Sequence, residues 1–206
     1  MGTVGGQQGG GDALGAEAMR RLRQRSVCDI EPGLTDAEFD AIEREFGFHF
    51  ADDHRAFLAA GLPVNSRPEP PAPGVIRAHP QPWPDWRHAD RDELRGLLDW
   101  PAEGVLFDVE NNGFWYEQWG PRPTDSASAV AAAKRMLTRV PVLAPVYGHR
   151  YLPAERGAVG HPVMSVWQTD IIFYGVDLAD YIDREFGHGG SDDEPRVTVE
   201  FWRDLL

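Results

Sequence analysis

The amino-acid sequence predicts an α+β fold in which helices pack on one face of a largely antiparallel sheet. Two apolar runs rich in β-branched residues, Val142 to Tyr147 and Val163 to Tyr174, are bounded by Gly and Pro and read as core strands. Capped helix signals stand before and after them, at Thr35, Asp90 and Asp177. The order of elements, helices, a hairpin, a helix, strands and a last helix, lacks the βα alternation of a doubly wound sheet. At 206 residues and 42% hydrophobic content the chain suffices for one sizeable core. The expected organisation is a flexible N-terminal arm over 1–28 that can carry a basic helix, a domain over 29–187 containing a Pro-rich insert at 62–88, and an acidic linker with a C-terminal segment over 188–206.

Residues 1–12 are rich in Gly and Gln and offer nothing apolar to offset chain entropy, so disorder is expected there. Residues 13–27 suit a helix with Leu14, Met19 and Leu22 on one side and Arg20, Arg21, Arg23 and Arg25 around it. Such a basic run either docks on an acidic surface, this chain's own included, or forms a solvated face. Thr35 and Glu38 then form a capping box, and Leu34 and Phe39 are placed for a hydrophobic staple. Phe39, Ile42 and Phe46 repeat at helical spacing up to Gly47, which predicts a helix over 36–46. Phe48 and Phe50 lead to a second short helix, capped by Asp52 or Asp53, with Phe57 and Leu58 inward and Gly61 as its stop.

In the Pro-rich stretch, Trp83 and Trp86 are expected to pin the loop down; a PxxP ligand for an SH3 domain is the alternative. Asp90 and Glu93 open a helix with Leu94, Leu97 and Leu98 inward and Trp100-Pro101 after it. Val105–Glu110 and Phe114–Gln118 flank Asn111-Asn112-Gly113 and are expected to pair as a hairpin, because Asn-Gly tolerates the positive φ of a tight turn. Residues 126–139 read as an Ala-rich helix ended by Pro141. Asp177 caps a helix with Leu178, Tyr181, Ile182 and Phe186 on one face, ended by Gly187. For Arg196–Leu206 a docked helix fits slightly better than a strand.

A formal charge of −13 repels phosphate backbones and anionic lipid and attracts basic surfaces, so neither nucleic acid nor membrane is an expected partner. Cys28, the single cysteine, has no partner for an internal disulfide, and no Cys/His cluster has zinc-ligand spacing. The N-terminus lacks the apolar stretch of a signal peptide and no apolar run approaches bilayer length, so a cytoplasmic location is expected.

Polar and aromatic groups crowd the ends of the two core runs: Tyr147, His149, Arg150, Tyr151, Trp167, Gln168, Asp170 and Tyr174. His149, Arg150 and Asp170 offer a base, a cation and a carboxylate, which an enzyme would need within hydrogen-bond reach of one another. The simpler reading is an internal network, with Arg150 paired to Asp170 and Tyr147 or Tyr151 bonding a loop backbone. The chain has no Gly-rich phosphate loop, no Gly-x-Ser-x-Gly and no His-Glu-x-x-His, so no catalytic residue and no cofactor is assigned. Asp108, Glu110, Glu117 and Asp170 resemble a divalent-metal cluster only by coincidence of an acidic composition, and no metal site is assigned. On the expected hairpin one of Trp115 and Tyr116 points outward. With Trp119 and the carboxylates Asp108, Glu110 and Glu117 they suit an interface for a basic protein; purely interior rings are the equal alternative.

Two groups of motifs resemble a known family. Gly-Leu-Thr-Asp-Ala-Glu-Phe (33–39), Glu-Phe-Gly-Phe-His-Phe (45–50) and Phe-Leu-Ala-Ala-Gly-Leu-Pro (57–63) resemble the opening helices of SMI1/KNR4 proteins, the SUKH superfamily. Val-Pro-Val-Leu-Ala-Pro-Val-Tyr-Gly-His-Arg-Tyr-Leu-Pro (140–153) and Pro-Val-Met-Ser-Val-Trp-Gln-Thr-Asp-Ile-Ile-Phe-Tyr-Gly (162–175) look like the later strands of its bacterial branch. The resemblance covers about residues 33–187, the order of the pieces being its specific feature. His161, where Asn is expected, and the Pro-rich insert at 62–82 depart from the pattern, and nothing that depends on them is carried over. The resemblance implies an α+β domain whose bacterial members commonly act as immunity proteins, binding polymorphic toxins, often nucleases; others are regulatory scaffolds. The expected function is therefore a cytoplasmic, non-enzymatic module that neutralises a basic toxin domain by direct binding. A regulatory scaffold, or an enzyme using His149, Arg150 and Asp170, stands as the alternative.

Overall fold

The computed structural model describes residues 5–65, 83–187 and 189–206, with side chains from Gly9 onwards. The PxxP reading and the expectation for residues 1–4 lie outside these residues. The described chain forms six helices, α1 (Gly5–Arg25), α2 (Asp36–Phe46), α3 (Asp52–Ala60), α4 (Arg91–Asn111), α5 (Ser126–Leu137) and α6 (Leu178–Phe186). A small sheet pairs β1 (Asp29–Glu31) with β2 (Leu62–Val64), and a larger one joins β3 (Leu143–Tyr147), β4 (Arg150–Pro153), β5 (Val163–Trp167) and β6 (Asp170–Gly175). Every pairing is antiparallel and the larger sheet is a meander, so the class is α+β as expected. The second apolar run proves to be a hairpin rather than one strand. It exceeds the usual strand of about 5–6 residues, and its polar centre, Gln168-Thr169, takes the turn.

Register sets the two faces of the meander. Ala144, Leu152 and Val163 join Met19, Leu22, Phe39, Phe57, Leu178 and Ile182 in the main core, under α1, α2, α3 and α6. Tyr151, Met164, Val166 and Ile171 point the other way, where Val105 of α4 and Val199, Phe201 and Trp202 of the C-terminal segment cover them. Cover on this second face goes beyond the one-sided packing expected. Adjacent residues of β5 are apolar on both faces, and both must leave water.

The capping box of α2 is formed: Thr35 Oγ1 accepts from Glu38 N, and Glu38 accepts from Thr35 N at 2.7 Å. Gly47 ends the helix at φ 75. Trp83 and Trp86 are buried as expected, Trp83 against Tyr147 and Phe186 and Trp86 against Phe50. The cap expected of Asp52 or Asp53 is not made, since Ala51 holds that position. The two carboxylates instead accept from the backbone N–H groups of Gly157 and Gly160 and hold the β4–β5 loop.

The N-terminal arm is corrected most. Residues from Gly5 are helical, and α1 packs along α3 so closely that a Cβ on Gly15 would lie 2.2 Å from the Asp53 carbonyl oxygen. Ala18, Met19 and Leu22 continue that stripe into the core, while Arg21 and Arg25 each reach Asp183 of α6 at 2.7 Å. Within the stretch expected to be disordered, Gly11 lies against Asp52 of α3 whereas Gly9 and Gly10 have nothing within 4 Å, and in the basic run Arg21 and Arg25 dock on the chain's own Asp183.

The hairpin expected around Asn111-Asn112-Gly113 is absent, because α4 runs through Pro101 and includes Val105–Glu110. Positive φ, here 72° at Gly113, serves a helix C-terminus as well as a tight turn, and the N–H groups of Asn112 and Phe114 both bond the Asp108 carbonyl. Pro101 has no N–H for the Leu97 carbonyl one turn back, and the hydroxyl of Tyr151 donates to that oxygen at 2.9 Å. The C-terminal segment docks as a single 3₁₀ turn, Trp202–Leu205, with Trp202 Nε1 donating to the Pro141 carbonyl.

Candidate functional site

The polar fringe of the meander closes on itself. Arg150, at the start of β4 and opposite Ser165, donates from Nε to Glu185 at 3.0 Å, and from an Nη to Ser165 Oγ and to His149 Nε2. Its guanidinium carbon lies 3.9 Å above the Tyr174 ring. The expected Arg150–Asp170 pair is not formed; Glu185, on the last turn of α6, takes that role, and Asp170 stands exposed at the hairpin turn. The helix brings a carboxylate to the sheet from 35 positions away, which no local pattern announces. Burial first, and then the neighbouring guanidinium, push the His149 pKa down, favouring the neutral imidazole that accepts from Arg150. Tyr147 packs between Trp83 and Phe186, and burial raises its pKa. Tyr151 is wholly buried and bonds helix rather than loop backbone. His149, Arg150 and Asp170 are therefore not assembled as a base, cation and carboxylate set.

The aromatic residues after α4 hold the C-terminus. Trp119 stacks on Phe201 at 5.7 Å with Tyr116 at 5.0 Å from the same ring, and the Tyr116 hydroxyl donates to Asp204 at 2.5 Å. Trp115 Nε1 donates to the Gly120 carbonyl. Trp115, Tyr116 and Trp119 are half-buried; Tyr116 and Trp119 anchor the chain's own tail and Trp115 packs against the cluster of Val109, Ala129 and Ala133, while Glu110 and Glu117 remain exposed. Asp108 cannot serve as a contact for a partner: it is buried, accepting from Thr169 N at 2.9 Å, from Thr169 Oγ1 at 2.6 Å and from Asn112. Burial alone would raise its pKa, but these bonds outweigh burial and lower it.

That buried carboxylate builds a surface it does not belong to. By bonding Thr169, Asp108 clasps the β5–β6 turn to α4. Gly104 permits the approach, since a Cβ there would lie 2.8 Å from Gln168 Cα, and Gln168 adopts φ 58 at the contact. Trp167 from the turn thereby meets Trp100 from the helix, with ring centroids 5.6 Å apart. Trp100 is 41%, Phe107 48% and Trp167 53% exposed. Asp99, Glu103 and Glu110 on α4 and Asp170 on the turn lie exposed among them. No Lys or Arg occurs between Arg95 and Arg122, and Arg91 and Arg95 reach away over Phe46. The result is an exposed aromatic pair, Trp100 and Trp167, built from two elements that also carry exposed carboxylates. Of the residues expected at an interface Glu110 alone lies on this stretch of α4, while Trp167 and Asp170 come from the strand-end cluster that was read as a possible site or an internal network. Trp100 and Phe107 were missed because Pro101 reads as a helix end; their spacing of seven residues places them on one helical face once α4 is seen to continue.

Among the described residues no group of three or more His, Cys, Asp or Glu side chains could hold a metal ion, and no helix is long and apolar enough to cross a membrane. No family model, no curated protein and no solved structure matches this chain.

Proposed function

We propose that this chain is a non-enzymatic, cytoplasmic binding module that occupies a basic protein, using the face made by α4 and the β5–β6 turn. One observation carries the reading: Trp100 and Trp167 stand exposed together, with exposed Phe107 seven residues on along α4, and no Lys or Arg occurs between Arg95 and Arg122. Exposed aromatic clusters are expensive to keep in water and mark interaction surfaces, and the surrounding acids select a positively charged partner and speed its encounter. The SUKH resemblance supports a toxin domain as that partner, bound stoichiometrically and thereby silenced. The enzyme alternative loses support with the separation of Asp170 from Arg150. Co-expression with the toxin encoded beside its gene should protect cells and give a salt-sensitive complex on co-purification. Absence of both protection and complex would overturn the proposal.

A further inference from the structure

This chain holds its own arginines in a repeated way. Arg55 places its guanidinium 4.0 Å from the Phe39 ring centroid while bonding Asp36 at 2.8 Å, and Arg150 lies 3.9 Å above Tyr174 while bonding Glu185 at 3.0 Å. Each combines an aromatic face with a hydrogen-bonded carboxylate, Arg55 having Glu43 as a second, longer partner at 3.7 Å, which matches a guanidinium that is planar, weakly hydrated and able to stack and hydrogen-bond at once. Trp167 and Asp170 offer the same two groups. They are directly paired across the β5–β6 turn, so both side chains lie on one face of the hairpin, and both are exposed. Among the described residues no arginine of the chain lies over Trp167. Trp100 supports the ring edge-on at 5.6 Å, and Asp108 and Gly104 fix the turn against the helix, so the corner is rigid before anything binds.

We propose that the Trp167–Asp170 corner is an arginine-selective subsite, taking an arginine side chain of the basic partner stacked on the Trp167 indole with its N–H groups donating to Asp170. This deepens the reading above and rests on it. A lysine would satisfy the carboxylate but lose the planar stack, so the corner discriminates between two residues that net charge alone treats alike. Glu103 and Glu110, by contrast, contribute a field that any cation feels.

The test is calorimetric titration of the full chain with nona-arginine and nona-lysine peptides at about physiological salt. The expected result is that the arginine peptide binds about tenfold more tightly. Trp167→Ala and Asp170→Asn should each remove most of that preference, while Glu103→Gln with Glu110→Gln weakens both peptides alike. Trp167 is largely exposed, so its variant should keep the wild-type melting temperature and circular dichroism, which verifies that the fold is intact. Binding of both peptides with equal affinity, or an arginine preference that survives Trp167→Ala, overturns the subsite and leaves the basic-partner proposal standing. Failure of both peptides to bind overturns both.

Discussion

Tyr151→Phe isolates one hydroxyl in an otherwise unchanged core. The ring is 1% exposed, and among the described residues its hydroxyl bonds only the Leu97 carbonyl, whose ordinary helical donor is missing because residue 101 is proline. Removing the hydroxyl leaves that carbonyl without a partner beneath the sheet, at a cost of about 1–3 kcal/mol. In a chain of this size each kcal/mol moves Tm by about 2–4 °C, so a fall of about 6 °C is the central expectation. Pro101→Ala restores an N–H one turn from Leu97. In the Tyr151→Phe background it should recover most of the loss, giving a coupling of about 1–2 kcal/mol in the double-mutant cycle. Urea denaturation of the four proteins, followed by near-UV circular dichroism, measures it. If Tyr151→Phe is as stable as the parent, or costs the same with Ala at 101, the hydroxyl does not complete the helix, and Tyr151 returns to the set of residues available to a site.

Three further outcomes follow from the packing and the buried charges. Gly15→Ala places a methyl 2.2 Å from the Asp53 carbonyl oxygen and should destabilise by about 1–3 kcal/mol, whereas Gly10→Ala, with nothing within 4 Å, should stabilise by about 0.5–1 kcal/mol; equal effects in thermal melts would refute the close α1–α3 contact. Phe201→Ala removes the ring between Tyr116 and Trp119 and should cost about 3–5 kcal/mol in urea unfolding, a loss below about 1 kcal/mol showing that the C-terminal turn is not part of the cooperative unit. Asp53 and His54 titrate in opposite senses. Burial pushes Asp53 from 3.8 up to about 6, so its contribution favours the fold below 3.8 and is lost as pH rises through 6. Burial pushes His54 from 6.5 down to about 3, so its contribution is present above 6.5 and lost as pH falls towards 3. Between pH 4 and 6 the two offset each other. Relative to the parent, Asp53→Asn should therefore gain stability with rising pH and His54→Gln should lose it, each by about 2–3 kcal/mol; parallel profiles for all three proteins would refute the assignment.

Several local signals that act over one turn of chain were readable, although the Asp52 or Asp53 cap and the Asn112-Gly113 turn were not. The Thr35–Glu38 box, the Asp90 and Asp177 caps and the Gly47 stop involve groups within a few residues of each other, so their geometry follows from spacing alone. The apolar runs likewise identified the sheet, and the composition identified an acidic surface. Three features needed the tertiary structure, each because a long-range partner supplies what the local pattern lacks. Proline at 101 ends a helix unless a donor reaches the orphaned carbonyl, and Tyr151 arrives from a strand 50 positions later. A Gly/Gln-rich N-terminus favours disorder unless another element packs against it, as α3 does at Gly11, where a Cβ would lie 2.9 Å from Asp52 Cβ. The carboxylate for Arg150 comes from α6, which frees Asp170 for the surface. Sequence by itself thus determined the class of fold, the termini of α2, the N-terminal caps of α4 and α6 and the sign of the net charge, all set by neighbours along the chain. Which aromatic side chains remain in water was decided only when Gly104 and Asp108 brought the β5–β6 turn against α4, because exposure depends on contacts between segments that the chain order keeps apart.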